Sequence, residues 1–545
     1  MVASSGGGLG SVTLTGTPTT GQVIQATSPT TATWASGALN AWQIAPETYG
    51  AKGDGKLVSD GAITTGTNTL TCATSTPFTA ADVGKHILVW AAATSTTWLA
   101  TTIATYVSAS QVTLAANATN TVTASGVAYG TDDSAAIQSA INAANTASLA
   151  GNGASATVKF SDKIYCVSAA PTLGVATGGG NWQISLPIVT ASSGPKSQIA
   201  LEGTGPAQLP HWLQTVPSQS GSILLCMRTD GSLNTTYGPT SVIGGPVSGY
   251  GGGGGTFSNM HLRVNGLSIM FPPQSTSYCG LEIFGLGQAS IDNFSYLPLG
   301  VVPAAQPWPT LAIANVPAYS YGLRMPAGGN NAVSDIGSYT SYFSQIGLVA
   351  NEHTTVYSMK TLYAVYGLLA MSAAGTMQHG ITIQNWCAEE LTNVIGTVSA
   401  GFFKATGPIS VSVARASLET YTHLVNDANG TLFGDIGFDI INSATTLLAT
   451  QFSGTNQGVK LRQIAAAQGV VASPPAVPAT TVAQLNGYYR DATVNVQPNG
   501  ATISSITVDS TVLTGITSGP VRVPAGHTIT LAYTVATPTW QWILD

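Results

Sequence analysis

The chain has 545 residues, of which 44% are hydrophobic and only 7% are charged, and its formal net charge is −6. This apolar content excludes a disordered chain, and the length exceeds what one compact core usually supports, which favours several domains or a solenoid. Its 16 basic residues form no cluster that could contact a phosphate backbone, so nucleic acid is excluded as an expected partner. The N-terminus lacks the layout of a signal peptide and no long apolar run occurs, so we expect no membrane insertion.

The cysteines are widely separated, odd in number and without a CxxC pair. This pattern predicts buried free thiols rather than disulfides or metal ligands. They are Cys72, Cys166, Cys226, Cys279 and Cys387. Because no HExxH motif, zinc-ligand spacing or EF-hand loop occurs either, the sequence predicts no metal site and no cofactor.

Residues 1–45 are rich in glycine, serine and threonine, and turn residues alternate there with short runs that favour β-structure. Such a segment could not bury a core alone. It resembles a short module common near the start of phage tail fibre proteins, where it attaches the appendage to the tail or to neighbouring subunits. The resemblance implies a tail-attachment segment whose partners are other phage tail proteins.

Residues 46–154 contain two motifs, TYGAKGDG at 48–55 and YGTDDSAAIQSAINAAN at 129–145. Thr131, Asp132 and Asp133 offer an N-cap and first-turn carboxylates, which the exposed amides at the start of a helix favour. The alanines and isoleucines that follow repeat at three- and four-residue spacing and make one apolar face. The second motif therefore predicts a short amphipathic helix that covers a hydrophobic surface.

Together these motifs resemble the start of the pectate-lyase-like β-helix superfamily, in which a YGAxGDG turn leads to TDDTxAIQ and a helix that caps the solenoid. The two half-motifs are usually contiguous, whereas in this chain residues 57–128 lie between them and read as short strands with turn breaks. We interpret them as an inserted β-rich domain of the kind that phage tail proteins carry. The resemblance implies an all-β fold, a right-handed parallel β-helix with a capping helix.

Residues 155–463 show coils of irregular length. Gly-Leu steps recur at 322–323, 347–348 and 367–368, spacings of 25 and 20 residues that are typical of a β-helix coil. Short β-rich runs lie between them and are placed to stack on one another. These runs are VSDIGSY (333–339), VYSMKTLY (356–363) and ITIQNWC (381–387).

Residues 464–482 are rich in alanine and proline and predict a linker. Residues 483–545 alternate apolar and polar in short runs, which predicts a C-terminal β-sandwich. It resembles the small C-terminal domains of phage tail proteins, which trimerise the shaft or bind sugar, and this resemblance implies a homotrimer. Trp540 and Trp542 occupy alternate strand positions, which more often face a core or an interface than a sugar ring.

Glycoside hydrolysis needs two carboxylates on either side of the scissile bond. Glu389 and Glu390 follow the strand that contains Trp386, His379 precedes it, and Asp335 and Glu352-His353 lie on neighbouring coils. These residues predict one site. Its catalytic members are Glu389, Glu390, Asp335 and His379, and its substrate-binding members are Trp386, Tyr339, Tyr363, Glu352 and His353.

Two alternatives to this site stay open. Glu389 and Glu390 are adjacent, so their side chains can point to opposite sides of a strand or lie on a solvated loop, and His379 can merely complete a turn. Lyase chemistry needs a base and a cation that neutralises a uronate, and the sequence is poor in both. Between 264 and 459 the basic residues are Arg324, Lys360, Lys404 and Arg415.

Three functions follow from these features. The favoured hypothesis is a virion tail appendage, extracellular after release, that recognises host cell-surface polysaccharide without cleaving it. The second is a tailspike depolymerase that cuts the polysaccharide by hydrolysis or β-elimination. The third is a purely structural minor tail protein. The sequence does not decide whether the chain is an enzyme.

Overall fold

The computed structural model describes most of the chain between residues 13 and 544. The described residues are 13–15, 22–28, 31–36, 42–173, 181–187, 196–207, 217, 219–234, 238–245, 258–273, 277–283, 286–300, 308, 320–325, 333–371, 378–390, 401–405, 409–419, 423–426, 432–442, 452–453, 458–463, 469–488 and 491–544. Within them nearly all regular structure is β-strand, and one α-helix is present.

Three strands near the N-terminus form a small sheet of their own. They are β1 (Thr13–Thr15), β2 (Gln22–Ser28) and β3 (Thr31–Ser36). Strand β3 is central, antiparallel to β2 and parallel to β1. A short strand, β4 (Gln43–Ile44), and a 3₁₀ helix (Pro46–Tyr49) then lead into the first half-motif.

The stretch between the two half-motifs closes into a six-stranded barrel in the order β10-β5-β6-β9-β8-β7. Buried and partly buried residues alternate along β6 and β9, as expected for strands with one face in a core. A second 3₁₀ helix (Ala80–Asp82) lies between β6 and β7. The barrel strands are β5 (Lys56–Ile63), β6 (Thr69–Cys72), β7 (His86–Thr94), β8 (Thr97–Ser108), β9 (Gln111–Leu114) and β10 (Val122–Gly130).

The barrel brings the two half-motifs together in space. Its first strand, β5, pairs with its last, β10, so the chain leaves and returns at the same place. The Asp133 carboxylate accepts hydrogen bonds from the backbone amides of Lys52 at 2.6 Å and Gly53 at 3.0 Å. The amide and hydroxyl of Thr131 both donate to the Asp54 carboxylate at 2.9 Å. Residues distant in sequence therefore make one continuous turn.

The helix predicted after the second half-motif is α1 (Ser134–Ala150). Its apolar face is fully buried and packs against β4, a neighbouring strand of the first parallel sheet. The predicted capping is wrong in one detail. Asp133 occupies the N-cap position, but its carboxylate bonds the first half-motif, and Asp132 instead accepts from the Ser134 amide at 3.0 Å. The buried face consists of Ile137, Ala140, Ile141 and Ala144.

We expect Asp133 to make stability depend on pH. Burial raises the pKa of Asp133 to about 6, against the opposing hydrogen bonds from Lys52 and Gly53, whereas an unfolded aspartate titrates near about 4. Between pH about 4 and about 6, Asp133 is protonated in the folded chain but ionised in the unfolded chain. The contribution of Asp133 to the free energy of unfolding therefore falls as the pH rises through this range. Asp133→Asn removes this titration, which amounts to at most about 3 kcal/mol.

The measurement is thermal unfolding of both proteins at several pH values across this window. The melting temperature of the wild type should fall relative to that of Asp133→Asn as the pH rises. A difference that stays constant with pH would contradict the assignment.

From residue 155 onward the chain alternates between two sheets. The strands are β11 (Ser155–Lys159), β12 (Ile164–Val167), β13 (Thr172–Leu173), β14 (Asn181–Ser185), β15 (Ser197–Glu202), β16 (Ser222–Cys226), β17 (Leu233–Asn234), β18 (Gly238–Gly245), β19 (Ser258–Phe271), β20 (Tyr278–Ile283), β21 (Leu286–Pro298), β22 (Tyr321–Arg324), β23 (Val333–Tyr342), β24 (Ile346–Ala350), β25 (Thr354–Ala364), β26 (Tyr366–Ala370), β27 (Gln378–Glu390), β28 (Gly401–Ala405), β29 (Ile409–Glu419), β30 (His423–Asn426), β31 (Leu432–Asn442), β32 (Phe452–Ser453) and β33 (Gly458–Gln463).

The first sheet runs β4-β11-β15-β19 and continues through the odd-numbered strands β21 to β33, and β16 pairs with both β19 and β12. The second sheet runs β14-β18-β20 and continues through the even-numbered strands to β32. Each of these strands pairs in parallel with the next strand of its sheet, and only β13 and β17 pair antiparallel. The large core lies between the two sheets.

The stacking predicted from the Gly-Leu steps is confirmed. Leu323 pairs with Leu348, and Leu348 pairs with Leu368, in successive strands of the second sheet. A side chain on Gly367 would place its Cβ 2.2 Å from the ring of Trp386, so glycine is needed there for this ring to fit. The three β-rich runs stack as well, in β23, β25 and β27.

All five cysteines are free thiols, as predicted, and four of them are buried. The prediction of burial is wrong for Cys387, which is exposed. It occupies an outward position of β27 between Trp386 and Ala388, whose side chains point into the core.

The C-terminal residues form two four-stranded antiparallel sheets, β34-β41-β36-β39 and β35-β40-β37-β38, that share a separate core. Strand β34 lies within the predicted linker and pairs with β41, so part of 464–482 belongs to this unit. Trp540 and Trp542 are buried, which confirms a core position for both rings. The strands are β34 (Gly469–Val470), β35 (Ala483–Leu485), β36 (Ala492–Gln497), β37 (Thr502–Val508), β38 (Thr511–Val512), β39 (Gly519–Val523), β40 (Thr528–Thr534) and β41 (Thr539–Leu544).

Among the described residues, no helix has the length and apolar character needed to cross a membrane.

Candidate functional site

The candidate site lies on the outer face of the first sheet, across strands β23, β25, β27 and β29. These strands are consecutive neighbours, so outward side chains form rows that cross them, spaced about 4.8 Å apart. Three rows are central to the site. They are Asp335–Thr355–Thr382–Ser412, Ser338–Ser358–Asn385–Arg415 and, over three strands, Lys360–Cys387–Ser417.

Strands β23, β25 and β27 each contain two consecutive residues that face outward. We call this position the bend of the strand, and the line of bends across the sheet its corner. The pairs are Gly337-Ser338 in β23, Tyr357-Ser358 in β25 and Gln384-Asn385 in β27. The bend interrupts the two-residue alternation, so residues after it reverse their facing relative to those before it. The corner itself presents polar and aromatic groups to solvent, and Tyr357 is 53% exposed.

A cavity of about 270 Å³ follows this corner. Its polar groups are the hydroxyl, amide and cationic side chains of two rows, and Lys360, Asn385 and Arg415 are exposed. Among the described residues that line it the charged side chains are both cations, although the whole chain is acidic. We call it the basic cavity. It is lined by Ser358, Met359, Lys360, Asn385, Trp386, Cys387, Arg415 and Ser417.

The charge and hydrogen-bonding groups of the basic cavity suit an anionic ligand that also carries hydroxyl groups. Lysine provides a compact cation and arginine a planar guanidinium that can hold a carboxylate through two parallel hydrogen bonds. Strand β25 positions Asn385, because the side-chain amide of Asn385 donates a hydrogen bond to the backbone oxygen of Tyr357 at 3.3 Å.

A second cluster lies at the start of β25 and β27. Glu352 and His353 occupy the turn before β25, and His379 is the second residue of β27. The Glu352 carboxylate lies 3.1 Å from Nδ1 of His379 and accepts a hydrogen bond from the His379 amide at 3.2 Å. The rings of His353 and His379 stack with their centroids 4.4 Å apart. Sequence reasoning placed these three residues in one site, and the structure brings them together.

The other predicted residues lie on different parts of the first sheet. Asp335 lies on β23 and pairs with Thr355, and its charge acts on His261. Tyr363 is half-buried and packs edge-on against Tyr342 at 5.2 Å. Glu389 and Glu390 end β27, where Glu389 pairs with Leu362, but their side chains lie outside the described part of the chain.

Two predicted sugar-binding residues need correction. Trp386 is 2% exposed and donates from its indole nitrogen to the Thr361 hydroxyl at 2.8 Å, and Tyr339 is 1% exposed with its hydroxyl bonded to Gly347. Simple alternation from Asp335 or Thr382 would place both rings outward, and the bend in each strand turns them into the core. Neither ring face is available for stacking on a sugar, although Trp386 is among the residues that line the basic cavity.

The residues that sequence reasoning missed are Lys360, Arg415, Asn385 and Tyr357. A usable signal existed, because Lys360 and Arg415 are two of very few basic residues in the coil region. The sequence did not predict that these two residues line one cavity, because residues that pair in successive coils are unevenly spaced along the chain. Thr355 pairs with Thr382 and Thr382 with Ser412, which are longer steps than the Gly-Leu repeat indicates.

No protein-family model and no curated protein matches this chain significantly. Among solved structures, ORF18 of Geobacillus virus E2 has 11% identity and a TM-score of 0.37, over 75% of this chain and 74% of that one. The Gp54 tailspike of Acinetobacter baumannii bacteriophage AP22, in complex with A. baumannii capsular saccharide, has 11% identity and a TM-score of 0.16, over 90% and 84%. The tailspike protein gp49 from Pseudomonas phage LKA1 has 10% identity and a TM-score of 0.17, over 90% and 82%. Scores this low do not establish a shared fold.

Proposed function

We propose that this chain is a phage tail appendage that binds an anionic polysaccharide of the bacterial surface. The observation that carries the ligand class is the basic cavity, where Lys360 and Arg415 lie beside Asn385 on an exposed sheet face. The tail assignment depends on the sequence resemblances of residues 1–45, the capping motifs and residues 483–545. The alternation of strands between two parallel sheets supports a right-handed parallel β-helix as the scaffold.

In this proposal the polysaccharide lies along the corner of the first sheet. Lys360 and Arg415 pair with an acidic group of the glycan, and Asn385 and the serines bond its hydroxyl groups. The exposed ring of Tyr357, beside the cavity residue Ser358, provides an apolar face for a sugar ring. The appendage works as a homotrimer in the virion, with residues 1–45 attached to other tail proteins.

The experiment compares glycan binding by the wild type and by Lys360→Ala/Arg415→Ala. We expect the double variant to bind an acidic surface polysaccharide at least tenfold more weakly, a loss of about 1.4 kcal/mol or more. Binding by the wild type should also weaken as the salt concentration rises, because the contacts are exposed charges. Retention on immobilised polysaccharide, or calorimetric titration with defined fragments, measures both effects.

A matched control is Lys159→Ala/Arg263→Ala. It removes the same two charges from exposed positions on β11 and β19 of the same sheet, at a distance from the basic cavity. We expect this variant to bind like the wild type. Equal weakening of both double variants would show that only the overall charge matters, and unchanged binding by Lys360→Ala/Arg415→Ala would overturn the proposal.

A second candidate function, β-elimination, is supported by the lysine and the arginine that line the basic cavity together. A lyase needs a base that removes the proton beside a uronate carboxyl group and a cation that stabilises the carboxylate. The glycosidic oxygen leaves with the electron pair, takes up a proton, and a double bond forms in the sugar ring. In this scheme Lys360 is the base and Arg415 holds the carboxylate.

Unsaturated-uronate absorbance during incubation with the polysaccharide tests this candidate. Activity that is lost in Lys360→Ala would establish a lyase. New reducing ends without that absorbance would indicate hydrolysis, for which Glu389, Glu390 and Asp335 are the carboxylates to replace first. Binding without either product would leave a receptor-binding fibre.

A further inference from the structure

The cluster formed by Glu352, His353 and His379 has the composition of a metal site. In the described part of the chain, one potential ligand atom from each residue lies within 4.8 Å of the other two. One carboxylate oxygen and two imidazole nitrogens are ligands that zinc commonly takes in proteins. No spacing motif signals this group in the sequence, because two of the residues precede β25 and the third opens β27.

The distances in the cluster agree with coordination around one ion. Zinc bonds of about 2.0–2.1 Å at tetrahedral angles place two ligand atoms roughly 3.3 Å apart. The Glu352 carboxylate oxygen and Nδ1 of His379 are separated by 3.1 Å, which is close to this value. The other pairs lie within 4.8 Å, and the His379 side chain is 74% exposed, which gives its ring room to adjust to an ion.

The backbone fixes the other two ligands. His353 has a φ of +60°, a left-handed conformation that is uncommon for residues other than glycine. Its carbonyl oxygen accepts a hydrogen bond from the Ser334 amide at 3.0 Å, which anchors this turn to β23. The Glu352 side chain is 13% exposed, so its carboxylate is held at the base of the cluster. Two ligands are thus positioned before any ion binds.

We propose that Glu352, His353 and His379 bind one divalent transition-metal ion of the zinc class. The ion connects two neighbouring strands of the first sheet, because its ligands come from the turn before β25 and from β27. Three protein ligands leave at least one position of a tetrahedral site open to water or to an oxygen of another molecule. The site is independent of the basic cavity, which shares none of these residues.

The test uses full-length protein without a histidine tag, treated with a chelator and titrated with Zn²⁺ by calorimetry. We expect one ion per chain with a dissociation constant of about 10 μM or tighter. Co²⁺ should give the visible absorption of a site with fewer than six ligands.

Variants His379→Ala and Glu352→Gln should each weaken Zn²⁺ binding at least tenfold. His261→Ala is the control, since His261 is an imidazole on the same sheet whose ring bonds Gln198 and Ser290, and it should bind like the wild type. Circular dichroism of each variant checks that it is folded, which we expect for His379→Ala because this side chain is exposed. Failure of the wild type to bind Zn²⁺ at about 1 mM, or wild-type affinity in His379→Ala, would overturn the proposal.

Discussion

Replacing Arg324 by leucine is expected to lower the stability of the parallel-sheet body by about 3–5 kcal/mol at alkaline pH, where Glu282 is ionised. Glu282 is 0% exposed, and its carboxylate pairs with the Arg324 guanidinium and accepts a hydrogen bond from Ser241. The two charged residues are register partners on β20 and β22. Without arginine a buried carboxylate has no counter-charge, which is the source of the loss.

Acid should reduce this loss. Burial raises the pKa of Glu282 to about 7, although Arg324 opposes the shift, and removal of Arg324 raises that pKa further. Below a pH of about 7 the carboxyl group of Glu282 is protonated in both folded proteins, so the difference in stability between the variant and the wild type narrows as the pH falls from alkaline values to about 7 and changes little below it. Denaturant midpoints of both proteins at two pH values measure the effect.

The control for this prediction is the double variant Glu282→Met/Arg324→Leu. It replaces both charges by apolar groups, a change that is often close to neutral for a buried pair. We expect it to be more stable than Arg324→Leu alone. If the single and double variants unfold at the same denaturant concentration at alkaline pH, the loss comes from packing and not from an unpaired charge.

Replacing Trp386 by alanine is expected to destabilise the same body by about 3–5 kcal/mol, the usual effect of removing a large core side chain. Its ring is 2% exposed, and its indole nitrogen donates to Thr361. Tyr357→Ala is the contrasting change on the neighbouring strand, since that ring is 53% exposed. We expect it to change stability by less than about 1 kcal/mol.

The two variants should separate core from surface roles when denaturant midpoints and polysaccharide binding are measured together. Trp386→Ala should lower the midpoint, and Tyr357→Ala should weaken glycan binding with little change in the midpoint. A stable Trp386→Ala protein that binds glycan weakly would restore this tryptophan to the site and contradict its burial.

The sequence pattern predicted the stacked strands because repeated local features control them. Each Gly-Leu step places leucine in the core, and a Cβ on its glycine would collide with a neighbouring side chain, which is Tyr339 at Gly322, Thr361 at Gly347 and Trp386 at Gly367. The capping helix was predictable for a similar reason, since its apolar face repeats within a few residues. In both cases neighbours in the sequence determine the structure.

The site was harder to predict because it depends on which side chains after a bend point into the core and which point to solvent. A strand with two successive outward residues, such as Gln384 and Asn385, reverses the facing of every later position. Polar residues are compatible with both a straight and a bent strand, so the pattern did not reveal the bend. Trp386 and Tyr339 were assigned to the wrong side for this reason, and the approach of Lys360 to Arg415 was missed.

The barrel between the half-motifs has a consequence for how such a protein can diversify. A side chain on Gly130 would place its Cβ 3.0 Å from Cα of Gly55, so the chain enters and leaves this unit through one narrow junction. An exchanged or shortened unit at that position preserves the capping turn only if its two ends meet and it supplies a cation for Asp54, which pairs with Lys85 of the barrel unit at 2.6 Å. The barrel also contacts the parallel sheets through Trp98, whose indole nitrogen donates to the Pro273 backbone oxygen at 2.9 Å. A replacement unit must fit the same surface. Recombination between related genes could therefore replace this unit as a cassette while the solenoid and its capping helix are retained.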